Sequence, residues 1–160
     1  MTLHELLALF TSKNIEYTTA HLDAVDQNAQ LTDVASDSRE VTPGSLFVCK
    51  GASFSPAYLA SAVDAGAVAY LCQQSLTEEL QAVAPNVAAI CVDDVRLAMA
   101  YAAAGVAGHP DKKLTTIGIT GTKGKSTCSY MLRAILDGDE PYSKCGVIGG
   151  IEVFDSGKVE

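Results

Sequence analysis

The stretch Thr115–Met131, TTIGITGTKGKSTCSYM, decides how this chain is read. Leu114, Ile117 and Ile119 form a short apolar run with β-branched neighbours, which predicts a covered parallel strand. Gly121 and Gly124 then allow a sharp turn and a close approach of a ligand to the backbone. Lys125, Ser126 and Thr127 open a helix predicted to run through Met131, Leu132, Ile135 and Leu136. The unpaired N–H groups and partial positive charge of a helix start suit a phosphate. Lys125 adds an ammonium for the outer phosphates, and the Ser126 hydroxyl is placed to join a Mg²⁺ shell. The general phosphate-loop pattern also asks for a glycine five residues before Gly124, where this chain has Ile119. What stands is the compact form G-T-x-G-K-[ST]. A glycine-rich turn before an ordinary helix is the plain alternative, and the strand-then-helix setting argues against it.

Immediately upstream, Gly105–Lys113 contains Gly108, His109, Pro110 and Asp111 and reads as a linker. The domain boundary is placed there, giving domains 1–109 and 110–160. Beyond the loop helix, strands are expected over Ser143–Ile148 and Ile151–Phe154. A unit of about fifty residues cannot cover both faces of a parallel sheet. The second domain therefore reads as truncated, with disorder after Lys113, strand exchange or self-association as the expected results.

The first domain alternates strands and helices, which predicts an α/β sheet with crossover connections. Thr2–Asn14 is an amphipathic helix with Thr2 and Glu5 as a capping box. Strands are predicted over Tyr17–Leu22, Leu31–Ala35, Leu46–Cys49, Ala67–Cys72 and Val87–Val92. Helices are predicted over Ala57–Ala65, ended by Gly66, over Leu76–Val83, and over Asp94–Val106 with Asp93 as its N-cap. Between two of these strands lies Ser36–Lys50, SDSREVTPGSLFVCK. Ser36, Asp37, Ser38 and Arg39 follow a strand end. Such residues often do no more than build turns. A polar cluster at a strand end is also suited to hydrogen-bond a base, a ribose or a sugar. Arg39 has two available partners, Asp37 and a phosphate, and the sequence does not choose between them.

The 160 residues are 48% apolar and 19% charged, a composition that forms a core. A net charge of −8 argues against nonspecific nucleic-acid binding and against an anionic membrane surface. No apolar run reaches transmembrane length, and no basic, apolar leader opens the chain. Cys49, Cys72, Cys91, Cys128 and Cys145 form no C-x-x-C pair and read as buried free thiols of a reducing cytoplasm. His4, His21 and His109 lack metal-ligand spacing.

Together the two polar stretches resemble the Mur ligase family, in its MurE type. The carrying residues are Ser36-Asp37-Ser38-Arg39, Val41, Pro43-Gly44, Leu46-Phe47, Gly66-Ala67-Val68-Ala69-Tyr70, Val92-Asp93-Asp94-Val95-Arg96 and Ile117 through Thr127. The resemblance implies a small N-terminal α/β nucleotide-sugar domain joined to the start of a P-loop parallel-sheet ATPase domain. It implies an ATP-dependent ligase of peptidoglycan precursor synthesis, acting in the cytoplasm. Such an enzyme adds a third, diamino acid to UDP-MurNAc-L-Ala-D-Glu through an acyl phosphate. By the same resemblance, Gly121, Thr122, Lys123, Gly124, Lys125, Ser126 and Thr127 hold ATP, and Ser126 binds Mg²⁺. Ser36, Ser38 and Arg39 contact the UDP part of the substrate. The implied partners are UDP-MurNAc-dipeptide and an amino acid, with no nucleic acid and no membrane.

The catalytic residues of the family fall beyond Glu160, so the 160-residue chain is expected not to ligate. Lys123 stands where many relatives have asparagine, Ser126 where threonine is commoner, and Gly51-Ala52-Ser53-Phe54-Ser55 replaces the family's His-containing substrate loop. Lysine and diaminopimelate both remain open as the amino acid added. Another P-loop NTPase or kinase, and a stand-alone nucleotide-sugar or ATP binding module, are the competing readings.

Overall fold

The first helix, α1 (Leu3–Ser12), starts where its sequence provides both halves of a cap. Thr2 Oγ1 accepts the Glu5 N–H at 3.1 Å, and Glu5 Oε2 accepts the Thr2 N–H at 2.8 Å. Its period of 3.6 residues then places Leu3, Leu6, Leu7 and Phe10 on one buried face. In the computed structural model, residues 1–139, 145–151, 153–155 and 158–159 are described, and the chain divides into two units, Met1–Leu114 and Thr115–Glu160.

The first unit is a five-stranded sheet in the order β1-β5-β4-β3-β2. Its strands are β1 (Tyr17–Ala20), β2 (Val34–Ala35), β3 (Leu46–Val48), β4 (Ala69–Gln73) and β5 (Ala88–Val92). Strands β2 to β5 run parallel, and β1 joins the β5 edge antiparallel. The helices α2 (Pro56–Asp64), α3 (Thr77–Val83) and α4 (Val95–Val106) complete it. Alternation along the strands decides what each helix covers. Leu46, Val48, Leu71, Ile90 and Val92 share a core cluster with residues of α1 and α4. Phe47, Cys49, Tyr70, Cys72 and Cys91 share the other with Leu59 of α2 and Leu80 of α3. Both faces of β4 and β5 are therefore dry, which is why these strands are continuous apolar runs.

The alternation of strands and helices is as the sequence predicts, with shorter strands. One cap differs. Asp94, not Asp93, is the N-cap of α4, because its Oδ1 accepts the N–H groups of both Arg96 and Leu97 at 3.0 Å. Gly66 ends the turn after α2 at φ +105, where a Cβ would stand 2.9 Å from Pro43 Cα. The Gly44 N–H donates to Gly66 O at 3.0 Å, so the Pro43-Gly44 turn is packed against this helix end.

The second unit holds α5 (Lys125–Asp137) and an antiparallel sheet of β6 (Val147–Ile148), β7 (Val153–Asp155) and β8 (Lys158–Val159) in the order β6-β7-β8. The strand expected over Leu114–Ile119 is not formed, and Leu114 and Ile117 are exposed. A strand is held by ladder partners, and among the described residues β6 to β8 pair only with one another. Parts of the two later strand expectations, at Ser143, Lys144 and Glu152, lie outside the described residues. Helix α5 is anchored by a polar pair. Arg133 lies 3.5 Å from Asp137, its guanidinium sits 3.6 Å from the centre of the Phe154 ring, and Asp137 Oδ1 accepts the Cys145 N–H at 3.1 Å. Its apolar residues Met131, Ile135 and Leu136 are exposed.

Among the described residues no helix is long and apolar enough to cross a membrane, and no cluster of His, Cys, Asp and Glu is arranged to hold a metal ion. The thiols divide: Cys49, Cys72 and Cys91 are buried, Cys145 is partly covered, and Cys128 is exposed, against the expectation for a buried set. Cys128 falls in the first turn of α5, on a side that no described element covers.

Candidate functional site

Because β2 to β5 are parallel, their carboxyl ends lie along one edge of the sheet, the position where open α/β sheets place ligands. Ser36–Arg39 follows β2, Cys49 and Lys50 follow β3, and Asp93 follows β5. A cavity of about 570 Å³ opens there, lined by Ser36, Asp37, Ser38, Arg39, Lys50, Ser53, Phe54, Tyr58 and Ser61. The structure thus brings the three predicted substrate residues Ser36, Ser38 and Arg39 to one cavity. Beside it lies a second cavity of about 380 Å³, in which Lys50 and Phe54 recur together with Cys49, Asp93, Asp94 and Arg96.

Of the two partners the sequence offers Arg39, Asp37 is paired with it in the folded chain. Arg39 Nε donates to Asp37 Oδ1 at 2.9 Å and to Oδ2 at 3.1 Å, and an Nη2 hydrogen bond to Oδ2 completes the fork. The Arg39 side chain, and after it the Arg39 N–H, hold the Asp37 carboxyl down at about 2. The guanidinium is held above its ordinary value chiefly by the same side-chain bond. The fork leaves the Nη1 edge of the guanidinium to solvent, and the side chain is 86% exposed.

Residues of this cavity that the sequence reading did not assign to it are Lys50, Ser53, Phe54, Tyr58 and Ser61. Lys50 stands two residues past β3, a place where a lysine ordinarily faces solvent. Tyr58 and Ser61 lie three residues apart on α2 and so share a face. Phe54 and Tyr58 meet edge to face with ring centres 6.5 Å apart.

In the second unit, Gly121–Thr127 forms an exposed loop and helix start, with Ser126 half-buried. Gly124 is the N-cap of α5 at φ 78 and ψ 0, a left-handed conformation that glycine adopts without strain. No side chain caps the helix, which leaves its start open to an anion. Lys125 Nζ donates to Gly121 O at 2.7 Å, so the ammonium folds back across the loop. The next bonds are local: the Cys128 N–H reaches Gly124 O at 2.9 Å, and Ser129 Oγ reaches Ser126 O at 2.8 Å.

The chain is similar to UDP-N-acetylmuramyl-tripeptide synthetases, being 40% identical over 111 residues to that of Latilactobacillus sakei, which is 69% of this chain and 20% of the relative. The corresponding protein of Limosilactobacillus reuteri is 44% identical over 105 residues, 66% of this chain and 19% of its own length. The UDP-N-acetylmuramoyl-L-alanyl-D-glutamate–2,6-diaminopimelate ligase of Caldanaerobacter subterraneus is 38% identical over 127 residues, 78% of this chain and 25% of the relative. The chain spans about a fifth to a quarter of the length of these curated relatives. No protein-family model matches it. A crystal structure of MurF from Acinetobacter baumannii shares the fold, with a TM-score of 0.58 and 24% identity over 82% of this chain and 27% of that one. In fold and in sequence, then, the chain belongs to the Mur ligase family, and its sequence likeness is to the MurE type.

Proposed function

We propose that this chain provides two binding regions of an ATP-dependent ligase of peptidoglycan precursors. In this reading Met1–Leu114 binds the uridine diphosphate end of UDP-MurNAc-L-Ala-D-Glu, and the Gly121–Thr127 loop binds ATP. The observation that carries it is the gathering of Ser36, Ser38 and Arg39 in one cavity at the carboxyl edge of a parallel sheet. Relatives named for this substrate class support the choice of ligand.

The roles follow from the chemistry of the side chains. Ser36 and Ser38 each offer a hydroxyl that both donates and accepts, which suits a uracil edge or a ribose. Arg39 presents its free guanidinium edge at the rim while Asp37 fixes its angle. In the loop, Gly121, Thr122, Lys123 and Gly124 supply backbone N–H groups, and Lys123 and Lys125 add positive charge. The loop fits a phosphate on one structural test: a Cβ at Gly124 would meet nothing within 4 Å, so the space above it is open. Ser126 would hold Mg²⁺ through its hydroxyl oxygen. The metal supplies charge neutralisation at the phosphates. Lys125 exchanges its bond to Gly121 O for a phosphate oxygen, and Thr127 adds a hydroxyl at the helix start.

Activation of the substrate carboxylate as an acyl phosphate, followed by attack of an amino group, is the reaction proposed for the parent enzyme, and the amino acid is a diamino acid. For the 160 residues alone the proposal is binding without ligation. Isothermal titration with UDP-MurNAc-dipeptide tests the reading. Binding that Ser38→Ala removes supports it. ATP binding with no response to the UDP-sugar overturns it in favour of a P-loop NTPase of another kind.

A further inference from the structure

We infer that Lys50 is the residue that recognises the diphosphate of a nucleoside diphosphate at this edge, an assignment that rests on the uridine-nucleotide reading above. The argument is one of elimination among the positive groups available. A diphosphate needs cationic or N–H partners. The carboxyl edge of the sheet offers three kinds: helix starts, arginines and Lys50.

The starts of α2 and α4 are taken, and that of α3, which no side chain caps, carries Glu78 and Glu79 in its first turn. At α2, Pro56 has no N–H to give, and the Ser55 hydroxyl accepts the Ala57 N–H at 3.4 Å. At α4, the Asp94 carboxylate accepts both the Arg96 and the Leu97 N–H. It adds a negative charge where the helix dipole would otherwise attract an anion. These two starts are therefore unlike that of α5, where no side chain intervenes.

The arginines are less suited. Arg39 shares its charge with Asp37 through the fork described above. Arg96 lines only the second cavity, beside Asp93 and Asp94. Lys50 has no hydrogen bond or ion pair among the described residues. It is half-buried, two residues past β3, and it lines both cavities. A lysine at that point places a mobile ammonium between the pocket of Ser36 and Ser38 and the neighbouring space. A base held by the serines then has its phosphates within reach of Lys50 from either cavity.

The test compares uridine, UMP and UDP by titration calorimetry on the 160-residue chain and on Lys50→Met and Lys50→Arg. The chain itself is expected to favour UDP over uridine by about tenfold or more. That preference should fall as salt rises. Lys50→Met should erase the preference, and a urea unfolding midpoint matching that of the unmodified chain shows that the variant is folded. Lys50→Arg should keep most of it. A Lys50→Met chain that still prefers UDP to the original extent overturns the assignment while leaving the uridine-nucleotide reading intact. An unmodified chain that binds UDP and uridine equally overturns it as well. Failure of the unmodified chain to bind any of the three ligands overturns both.

Discussion

Asp37 takes the Arg39 backbone N–H, at 3.0 Å, on the same Oδ1 that accepts the Arg39 Nε–H, at 2.9 Å. One carboxylate thus fixes both the turn after β2 and the direction of the guanidinium above it. Because the carboxyl is held at about 2 in the folded chain and titrates near 3.9 when unfolded, its contribution is present above about pH 4. It is lost as pH falls towards 2. Carbon NMR of the Asp37 carboxyl should show this low midpoint, and Arg39→Lys should raise it, since a single ammonium cannot form the fork. A midpoint in the ordinary carboxylate range in the unmodified chain would rule the fork out in solution.

Two glycines with similar backbone angles should respond differently to alanine. Gly51 is at φ +98 with nothing within 4 Å of an added Cβ, so Gly51→Ala costs conformational strain alone, about 1–2 kcal/mol. Gly66 is at φ +105 and its Cβ would press on the backbone of Pro43 at 2.9 Å. Gly66→Ala should therefore cost about 3 kcal/mol or more. Urea unfolding of both variants gives the order, and equal losses would contradict the close approach.

At the start of α4, Asp94→Ala should destabilise by about 1 kcal/mol, since two helix N–H groups lose their acceptor. Asp93→Ala should change stability by less than about 0.5 kcal/mol. Denaturant midpoints of the two variants separate the cap from its neighbour.

Thiol chemistry should report the same burial pattern. Burial pushes the Cys49 thiol up to about 12. Cys72 is also raised, first because its hydrogen is donated to Cys91 Sγ at 3.6 Å and then by burial. In the native chain a disulfide reagent at pH 8 should react fastest with Cys128, more slowly with Cys145, and with Cys49, Cys72 and Cys91 only on unfolding. Fast reaction of all five thiols would show that the sheet opens readily.

How far the sequence carried differs from one element to the next, for physical reasons. The start of α1 was legible because Thr2 and Glu5 are a complete local device, needing no distant partner. The crossover pattern was legible because buried parallel strands must be apolar throughout. Tandem Asp93-Asp94 was not resolved, since either carboxylate can cap and one residue of helix phase decides. The run Leu114–Ile119 was misread because an apolar stretch states a preference for burial and not the presence of partner strands. The placing of Ser36–Arg39 at a cavity was legible because hydroxyls after a strand are informative. Lys50 was missed because a lysine past a strand usually means solvent, and only the cavities on either side give it a different meaning.

The row of sulfurs beneath this edge has an electrical consequence. Cys49 directly follows β3, Cys72 and Cys91 pair across β4 and β5, and Cys49 walls the same cavity as Lys50. The sulfurs and the aliphatic core behind them are buried away from solvent. The field of an ammonium set against such a wall is turned towards the open side, where Asp93 and Asp94 offset part of it. An anion that reaches this face therefore meets a local ammonium on a chain whose net charge is −8. Ionic strength should then act on the rate of arrival more than on the rate of departure.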